Sequence, residues 1–206
     1  TVRDSVHSVR QHRRHFSKEE SDFLAATVAR LEAYGYVYKN PSASVASPAY
    51  PVRKAGVDPS MPLEQRYRLT VDLRGVNTHT VPIQFPLPQL ELIADKVRGA
   101  RFFAKLDLNN CFWQLPLDES CQEFFSFFTD RGVYTPRRLI QGSMNASGPC
   151  QARMQEVVGD LLYNGVIAYI DDIFLYANTF EELFELWVRL LLRLEAVGLK
   201  ITAHKT

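Results

Sequence analysis

Apolar residues recur along this chain at two spacings, one typical of amphipathic helices and the other of β-strands. Two helices are predicted most clearly, because each begins with a capping box in which a Ser or Thr precedes a Glu by three residues. A glycine follows each apolar run at the position where helices commonly end. The boxes and glycines are Ser17, Glu20 and Gly35 for the first helix, and Thr179, Glu182 and Gly198 for the second.

Shorter patterns predict further elements between these two helices. A short amphipathic helix is expected over residues 89–97, and another helix through residues 154–162. Strands are expected at residues 67–73, 102–108 and 124–128, the last turned at residues 130–132, and residues 55–65 are expected to form a loop. Because strands and helices mix without strict alternation, the predicted class is α+β, with helices packed on one face of an antiparallel sheet.

The segment over residues 166–176 is apolar except for two adjacent carboxylates, Asp171 and Asp172. β-Branched and aromatic residues on both sides predict a β-hairpin with the acidic pair at or beside its turn. Carboxylates amid apolar sequence need a cation or a hydrogen-bonding shell, since an unpaired buried charge is costly. A hard divalent metal fits this need, while a solvated hairpin tip is the competing interpretation because Asp is common in turns.

The composition is that of a globular protein with nearly balanced charge. The 206 residues are 46% hydrophobic and 23% charged, enough for one substantial core or two subdomains. The formal charge of +1 does not by itself indicate nucleic-acid binding. The first fifteen residues form a basic arm with four Arg and three His, which is usually a solvated tail and less often a phosphate-binding segment.

The cysteines and the hydropathy pattern predict a soluble protein of a reducing compartment, in the cytosol or nucleus. Cys111, Cys121 and Cys150 form no CxxC motif and leave an odd thiol, which argues against a disulfide scaffold or a zinc site. No window reaches the roughly 18 consecutive apolar residues of a membrane span, and no signal-peptide pattern opens the chain.

The sequence Tyr-Ile-Asp-Asp at residues 169–172 resembles the Y-x-D-D box of reverse transcriptases. The family's other motifs have similar counterparts in the same order: the fingers signature at residues 71–77, the first-aspartate motif at 103–108, and a loop–helix motif from 139 through 151. Flanking segments such as residues 85–88 look most like the polymerase of gypsy-type LTR retrotransposons. The resemblance covers nearly everything from about residue 17 onward.

This resemblance implies a right-hand polymerase with fingers and palm, the palm having an antiparallel sheet backed by helices. Residues 1–81 and 115–145 would form the fingers, and residues 82–114 and 146–206 the palm; the thumb, connection and RNase H regions are expected to be absent. The implied activity is RNA-directed DNA polymerisation, in which deoxynucleotides are transferred to a primer 3′-hydroxyl. Without a thumb the grip on primer and template would be weak, so little processive activity is expected from the isolated chain.

The implied partners are an RNA or DNA template with its primer, deoxynucleoside triphosphates, and the rest of a Pol polyprotein with RNase H and integrase. No membrane is expected among the partners. The implied location is a cytoplasmic retroelement particle or the nucleus, and no targeting signal is visible in the sequence.

The acids implied as catalytic and metal-binding are Asp107, Asp171 and Asp172, with Leu108 as a neighbouring metal-contacting position. Polymerases hold two divalent ions about 3.5–4 Å apart, which requires carboxylates that converge from separate strands. Asp107 on one strand and Asp171 beside a hairpin meet this requirement, and Asp172 is expected as the third acid. Mg²⁺ is the implied metal because it prefers oxygen ligands and substrate phosphates, with Mn²⁺ as a substitute.

Two side chains are implied to contact the incoming nucleotide. Phe112, five residues after Asp107, matches the family's aromatic gate under the sugar, where a bulky ring would exclude a ribose 2′-hydroxyl; a core Phe is the alternative. Arg68, four residues before Asp72, matches an arginine that contacts the triphosphate, which a guanidinium can bind through paired donors. A surface Arg on a strand is the alternative for Arg68.

Further substrate-binding residues follow from the same resemblance. Gln141 matches the residue that lies against the sugar of the incoming nucleotide, Gly142 lets the backbone approach closely, and Tyr169 belongs to the Y-x-D-D box. Asn145 and Gln151 are expected to be structural or to lie on the template side.

Basic residues complete the set that the resemblance implies. Arg53 and Lys54 would assist in triphosphate binding. Lys205 aligns with a lysine that would protonate the pyrophosphate leaving group, and His204 beside it is chemically capable of the same role. Solvated terminal residues are the alternative for both.

Two other functions are compatible with parts of this pattern. An RNA-dependent RNA polymerase shares the two-metal logic but would carry a polar reader of the 2′-hydroxyl in place of Phe112. A decayed or domesticated copy would bind nucleic acid without catalysis, and the presence of all three acids argues against such a loss of chemistry.

Overall fold

The computed structural model describes residues 15–202, and these residues form the mixed α+β fold that the sequence predicts. None of the helices in this range is long and apolar enough to cross a membrane. The predicted basic arm lies outside the described residues except for its last member, His15.

The helices are α1 (Lys18–Ala33), α2 (Leu63–Arg66), α3 (Arg74–His79), α4 (Leu90–Val97), α5 (Cys111–Gln114), α6 (Glu119–Gln122), α7 (Ser147–Val158) and α8 (Phe180–Ala196). The strands are β1 (Val37–Lys39), β2 (Ser47–Arg53), β3 (Tyr67–Val71), β4 (Phe102–Asp107), β5 (Phe127–Thr129), β6 (Gly132–Pro136), β7 (Val166–Tyr169) and β8 (Asp172–Ala177).

The chain divides into two compact units, each with its own sheet. The first unit comprises Thr1–Pro82 and Leu115–Ala146, and the second comprises Ile83–Gln114 and Ser147–Thr206. The assignment of the first unit to fingers and the second to palm stays a prediction.

The first unit is built on a five-stranded sheet in the order β1-β6-β5-β2-β3. Neighbouring strands are antiparallel except for β2 and β5, which are parallel. Helix α1 packs against this sheet and buries Phe23, Leu24 and Val28. The fully buried Phe127 stacks on Tyr134 with 6.0 Å between ring centroids, so part of the Phe-rich segment belongs to the core.

Both predicted capping boxes form. Ser17 Oγ accepts a hydrogen bond from the Glu20 backbone N–H at 3.2 Å, while the Glu20 carboxylate accepts one from the Ser17 N–H at 2.8 Å. Thr179 and Glu182 make the same reciprocal pair at the start of α8. The glycine predicted at the end of each helix has a positive φ, the left-handed conformation that satisfies helix C-termini.

The second unit has a three-stranded antiparallel sheet in the order β4-β8-β7, with α7 and α8 packed against it. Leu106 and Ile173 point from the sheet toward the helices and are fully buried, as is Leu190 of α8. Side chains alternate between the two faces of a strand, and Phe103 and Phe174 on the opposite face are exposed. The helices therefore back one face of the sheet, as predicted.

Replacing Thr179 with Ala is expected to lower the free energy of unfolding by about 1 kcal/mol, because the Glu182 backbone N–H loses its acceptor. Thr179→Ser keeps the acceptor oxygen and is the matched control. Urea denaturation of both variants measures the effect. An Ala variant as stable as the parent would show that this capping box adds nothing to stability.

Two predicted elements differ from the structure in kind. Leu63–Arg66 forms the short helix α2, although residues 55–65 were expected to be a loop. Part of the expected strand at residues 124–128 belongs to a 3₁₀ helix, Glu123–Phe125, before β5 begins. A short apolar run does not distinguish a buried helical turn from a strand, which explains the second error.

Other differences concern element ends. Strand β3 stops at Val71 because Leu73 already serves as the N-cap of α3. Helix α7 ends at Val158 and gives way to a 3₁₀ turn in which Gly159 has a φ of 56°. The sequence pattern does not predict α3, α5, α6 or β1, because elements of three to six residues carry too little periodicity.

Candidate active site

Two of the three predicted acids face each other across a pair of strands. In the register of β4 and β8, Asp107 lies directly opposite Asp172. Side chains at such positions share one face of the sheet, with Cβ atoms about 4.5–5.5 Å apart. Asp171 precedes Asp172 in the hairpin turn, and its carbonyl oxygen accepts a hydrogen bond from the Leu108 N–H at 3.4 Å. Asp107, Asp171 and Asp172 are together termed the acidic cluster.

Lys105 brings a positive charge to the acidic cluster. Its Nζ lies 2.8 Å from Asp172 Oδ1 and 5.5 Å from the centroid of the Phe174 ring. Carboxylates directly opposite each other destabilise a strand pair, so the ammonium offsets the repulsion between Asp107 and Asp172. The hydrogen bond to Asp172 raises the pKa of Lys105, partial burial opposes this, and the charges of Asp107 and Asp171 add to the increase.

The hairpin turn before Asp172 has a strained backbone. Ile170 adopts a φ of 56°, which is an outlier for a β-branched residue. The side chain of Gln151 in α7 reaches this turn. Its Nε2 donates to the Ala168 carbonyl at 2.9 Å, and its Oε1 accepts from the Ile170 N–H at 2.7 Å. Gln151 is fully buried, so its contacts favour the structural interpretation over the template-side one.

Two cysteines pack beside the same turn. Cys111 and Cys150 are buried, with 3.0 Å between their sulfur atoms, and Cys150 Sγ lies 3.6 Å from the Ile170 carbonyl oxygen. The hydrogen bond to Cys150, together with burial, raises the pKa of Cys111. Cys111 is therefore a protonated thiol at neutral pH. All three cysteines are free, and these two belong to the core.

Phe112 lies in α5, the helix that follows a short turn after the strand carrying Asp107, and its ring is half-buried. The end of α5 is held by Gln114, whose Nε2 donates to the carbonyls of Asn109 at 2.6 Å and Lys200 at 3.0 Å. Gln114 Oε1 accepts from the Lys200 N–H at 2.7 Å. The segment after α8 is thereby fixed to the loop that follows Asp107.

The first unit carries the predicted triphosphate-binding residues on a pair of antiparallel strands. Arg68 of β3 is exposed and pairs with Val52 of β2, next to the exposed Arg53. Because alternate residues point to opposite faces, Arg53 and Arg68 lie on opposite faces of this strand pair. Lys54 follows β2, and its Nζ donates to the Glu64 carbonyl at 3.2 Å.

Gln141 and Gly142 are exposed in a turn that Asn77 holds in place. Asn77 Nδ2 donates to the Gly142 carbonyl at 2.9 Å, and its Oδ1 accepts from the Met144 N–H at 3.0 Å. Gly142 has a φ of 98°, and a Cβ added there would meet the Val71 carbonyl oxygen at an ordinary 3.9 Å. The backbone conformation rather than crowding by neighbours therefore favours glycine at this position.

The acidic cluster offers the oxygen donors that Mg²⁺ prefers, but they are not gathered into a complete set of ligands. Across residues 15–202, no group of three or more His, Cys, Asp or Glu side chains is arranged to hold a metal ion. The Leu108 side chain is buried, so any contact of Leu108 with an ion would come from its backbone. His204 and Lys205 lie outside the described residues.

The contacts that two residues make in this site were not predicted from the sequence. Lys105 belongs to the first-aspartate motif, and strand alternation places it on the same face as Asp107. Its ion pair with Asp172 could not be predicted, because it depends on the register of β4 with β8. Gln151 was expected to be structural or to lie on the template side, and its place among the buried residues of α7 means that its amide needs hydrogen-bonding partners.

The second unit has an antiparallel sheet with helices on one face and carboxylates paired at one end of its strands. Residues 52–206 match the family described as reverse transcriptase (RNA-dependent DNA polymerase). This chain therefore belongs to the reverse transcriptase family, as its motifs predict.

Its relatives include transposon polyproteins, in agreement with the gypsy-type resemblance. The chain is 31% identical over 159 residues to the retrovirus-related Pol polyprotein from transposon gypsy of Drosophila melanogaster, a match over 77% of this chain and 15% of that protein. It is 30% identical over 117 residues to the corresponding polyprotein from transposon 297 of the same species, over 57% of this chain and 11% of that protein. The chain thus spans a small part of these curated relatives.

The fold is also that of a solved polymerase. Prototype foamy virus protease–reverse transcriptase matches 96% of this chain and 26% of its own length, with a TM-score of 0.79 and 21% identity. The foamy viral protease–reverse transcriptase in complex with double-stranded DNA matches with the same TM-score over 34% of its length. At this level of identity, the match establishes the polymerase fold.

Proposed function

We propose that this chain is the part of a reverse transcriptase that transfers deoxynucleotides to a primer 3′-hydroxyl under the direction of a template. The observation that carries the proposal is the strand register that puts Asp107 opposite Asp172, beside the turn that holds Asp171. Carboxylates that converge from separate strands are what a two-ion polymerase site requires. Membership in the family supports RNA-directed DNA polymerisation as the activity.

Asp107 and Asp171 are proposed as the principal ligands of two divalent ions, Mg²⁺ with Mn²⁺ as a substitute. When bound, such ions lower the pKa of the attacking hydroxyl and neutralise charge on the leaving pyrophosphate. Asp172 is proposed as the third acid, and its contact with Lys105 orients its carboxylate. The Leu108 backbone lies next to Asp107 and would complete the protein's contribution.

The remaining site residues are proposed to handle the nucleotide. In the second unit, the half-buried Phe112 ring would lie under the sugar and exclude a ribose 2′-hydroxyl. In the first unit, exposed Arg68 would contact the triphosphate, and exposed Gln141 would lie against the sugar. Tyr169 is proposed to contact substrate beside the acidic cluster, and Lys205 or His204 to protonate the leaving group.

The proposed partners are a primed RNA or DNA template, deoxynucleoside triphosphates and the remainder of a Pol polyprotein with RNase H and integrase. The matched Drosophila proteins are Pol polyproteins, and the foamy viral protein has been determined with double-stranded DNA. A cytoplasmic retroelement particle or the nucleus is the proposed location.

Primer extension on an RNA template tests this function. We expect addition of the nucleotide complementary to the template, dependent on Mg²⁺ or Mn²⁺. A matched reaction with a non-complementary nucleotide is the control for template direction. Absence of extension, also when the chain is fused to the segment that follows the matched region in a relative, would contradict the proposal.

Nucleic-acid binding without catalysis is the second candidate function, and Lys105 is the observation in its favour. The Lys105 ammonium is paired with an Asp172 oxygen that a catalytic site would offer to a metal ion. A site that no longer binds metal would tolerate this ion pair. A protein that binds primed template but never extends the primer would have this function.

Replacing Lys105 with Met is expected to increase Mn²⁺ affinity by about fivefold, since a like charge near an ion costs on the order of 1 kcal/mol in water. Mn²⁺ binding followed by electron paramagnetic resonance measures the change, which should shrink as salt concentration rises. Lys96→Met, on α4, is the matched control. Weaker binding by the Lys105 variant would instead assign Lys105 the role of holding Asp172 in place.

A further inference from the structure

We propose that Gln151 is a positioning residue that aims the Asp171 carboxylate, because both ends of its side-chain amide hold the hairpin turn in a strained conformation. The inference rests on the proposed function, since it assigns Asp171 to metal binding. It concerns a side chain outside the acidic cluster, on a helix behind the sheet.

The turn needs such support because its sequence disfavours its conformation. Ile170 and Asp171 are the two residues that connect the paired positions Tyr169 and Asp172. Two-residue hairpin loops with a positive φ at the first position normally have glycine there. Ile170 occupies that position with a φ of 56°. A β-branched residue does not remain in this region unless the surrounding structure holds it.

Helix α7 provides that hold through two consecutive residues. Gln151 accepts a hydrogen bond from the Ile170 N–H and donates one to the Ala168 carbonyl, at 2.7 and 2.9 Å. Cys150 Sγ lies 3.6 Å from the Ile170 carbonyl oxygen. Both backbone polar groups of Ile170 are therefore in contact with the helix that precedes the hairpin.

Burial makes the two Gln151 bonds difficult to replace. Gln151 has no exposed surface, and Ala168 is also fully buried. Water has little access to the Ala168 carbonyl, so loss of the amide would remove a partner from that buried group and from the partly buried Ile170 N–H. The turn would then relax toward a conformation that isoleucine prefers.

The consequence would be felt at Asp171, the residue that follows Ile170. A change of φ at Ile170 rotates the chain after it, and the carboxylate of Asp171 moves with that chain. Asp172 is less affected because its backbone is paired with β4 and β7. Gln151 thus acts on the acidic cluster through the direction of a single carboxylate.

The test compares Gln151→Leu, which is similar in size but makes no hydrogen bonds, with the parent protein. We expect Mn²⁺ affinity, measured by electron paramagnetic resonance, to fall by about 10- to 100-fold, the usual effect of removing a side chain that orients a ligand. In primer extension, kcat should fall while KM for primed template stays unchanged. Met154→Leu, at another fully buried position of α7, is the matched control and should change neither value.

Relief of the strain provides a second arm. Ile170→Gly removes the penalty of the positive φ, so the double variant Gln151→Leu/Ile170→Gly should recover most of the lost Mn²⁺ affinity. Recovery would show coupling between the two sites beyond simple addition. If Gln151 only stabilised the fold, Gln151→Leu and the double variant would lose stability equally, and Mn²⁺ affinity of the folded protein would be unchanged in both.

Amide hydrogen exchange separates this inference from the proposed function. In Gln151→Leu, the Ile170 N–H should lose protection while amides elsewhere in β7 and β8 keep theirs. Unchanged protection, or unchanged Mn²⁺ affinity in a parent protein that binds Mn²⁺, overturns the inference. A parent that binds no Mn²⁺ refutes the metal site, and the role of Gln151 in aiming a ligand falls with it, even if exchange shows that Gln151 holds the turn.

Discussion

Asp171→Asn is expected to reduce primer extension by at least about 10³-fold while leaving the protein folded. The substitution keeps the size of the side chain and removes its negative charge, and an amide is a poor substitute for a carboxylate on a hard divalent ion. Stabilisation of the developing charges would be lost together with the ion. Single-nucleotide extension of a primed RNA template, at saturating deoxynucleotide, measures the change.

The fold should tolerate this substitution because Asp171 is exposed in the turn and contributes its carbonyl, rather than its side chain, to the bond with Leu108. Circular dichroism and thermal unfolding check that expectation. Asp95→Asn, on the exposed surface of α4, is the matched control and should extend primers normally. Full activity of the Asp171 variant would remove this residue from the proposed chemistry.

Phe112→Ala is expected to raise the use of ribonucleotides relative to deoxynucleotides by about 100-fold, in the range that steric exclusion in an apolar pocket achieves. The ring is half-buried in α5, the helix that follows the strand carrying Asp107, and its removal would open space at that position. The ratio of ribonucleotide to deoxynucleotide use is measured in single-nucleotide incorporation reactions in which a ribonucleotide and a deoxynucleotide of the same base compete.

Phe184→Ala, which removes an exposed ring from α8, is the control for a general effect of losing an aromatic side chain. If sugar discrimination by the Phe112 variant is unchanged and only its stability falls, Phe112 is a core residue and the gate assignment is wrong. Efficient ribonucleotide use by the native protein would favour an RNA polymerase instead.

Elements that depend on nearby residues could be predicted from the sequence. Ser17 and Glu20 lie within one helical turn, and they form the expected capping box. The hairpin around Asp171 and Asp172 likewise follows from the apolar residues on both sides. The residues that determine the capping box and the hairpin each lie within a few positions of one another in the sequence.

The register of β4 with β8 could not be predicted in the same way. Asp107 and Asp172 lie far apart in the sequence, and no local pattern states which residue faces which. The family resemblance predicts that the acids meet, but the contact between Lys105 and Asp172 becomes visible only once the two strands are paired.

The turn at Ile170 runs against local preference, so sequence rules alone point away from it. Such conflicts between local propensity and observed structure are expected at functional or strained sites. Here the conflict is resolved by Gln151, a residue of another element whose partners only the folded chain identifies.

The hydrogen bonds between Gln114 and Lys200 bear on how this domain can be shortened. A version that stops at Gly198 would keep α8 whole, yet it would remove Lys200 as a partner of Gln114 and uncover the backbone beside Asp107. Residues 199–202 have little regular secondary structure, but their backbone bonds the end of β4 and the residues that follow it, where Asp107 lies. A recombinant boundary therefore belongs no earlier than Thr202 for the fold, and after Lys205 if the proposed proton donors are to be kept.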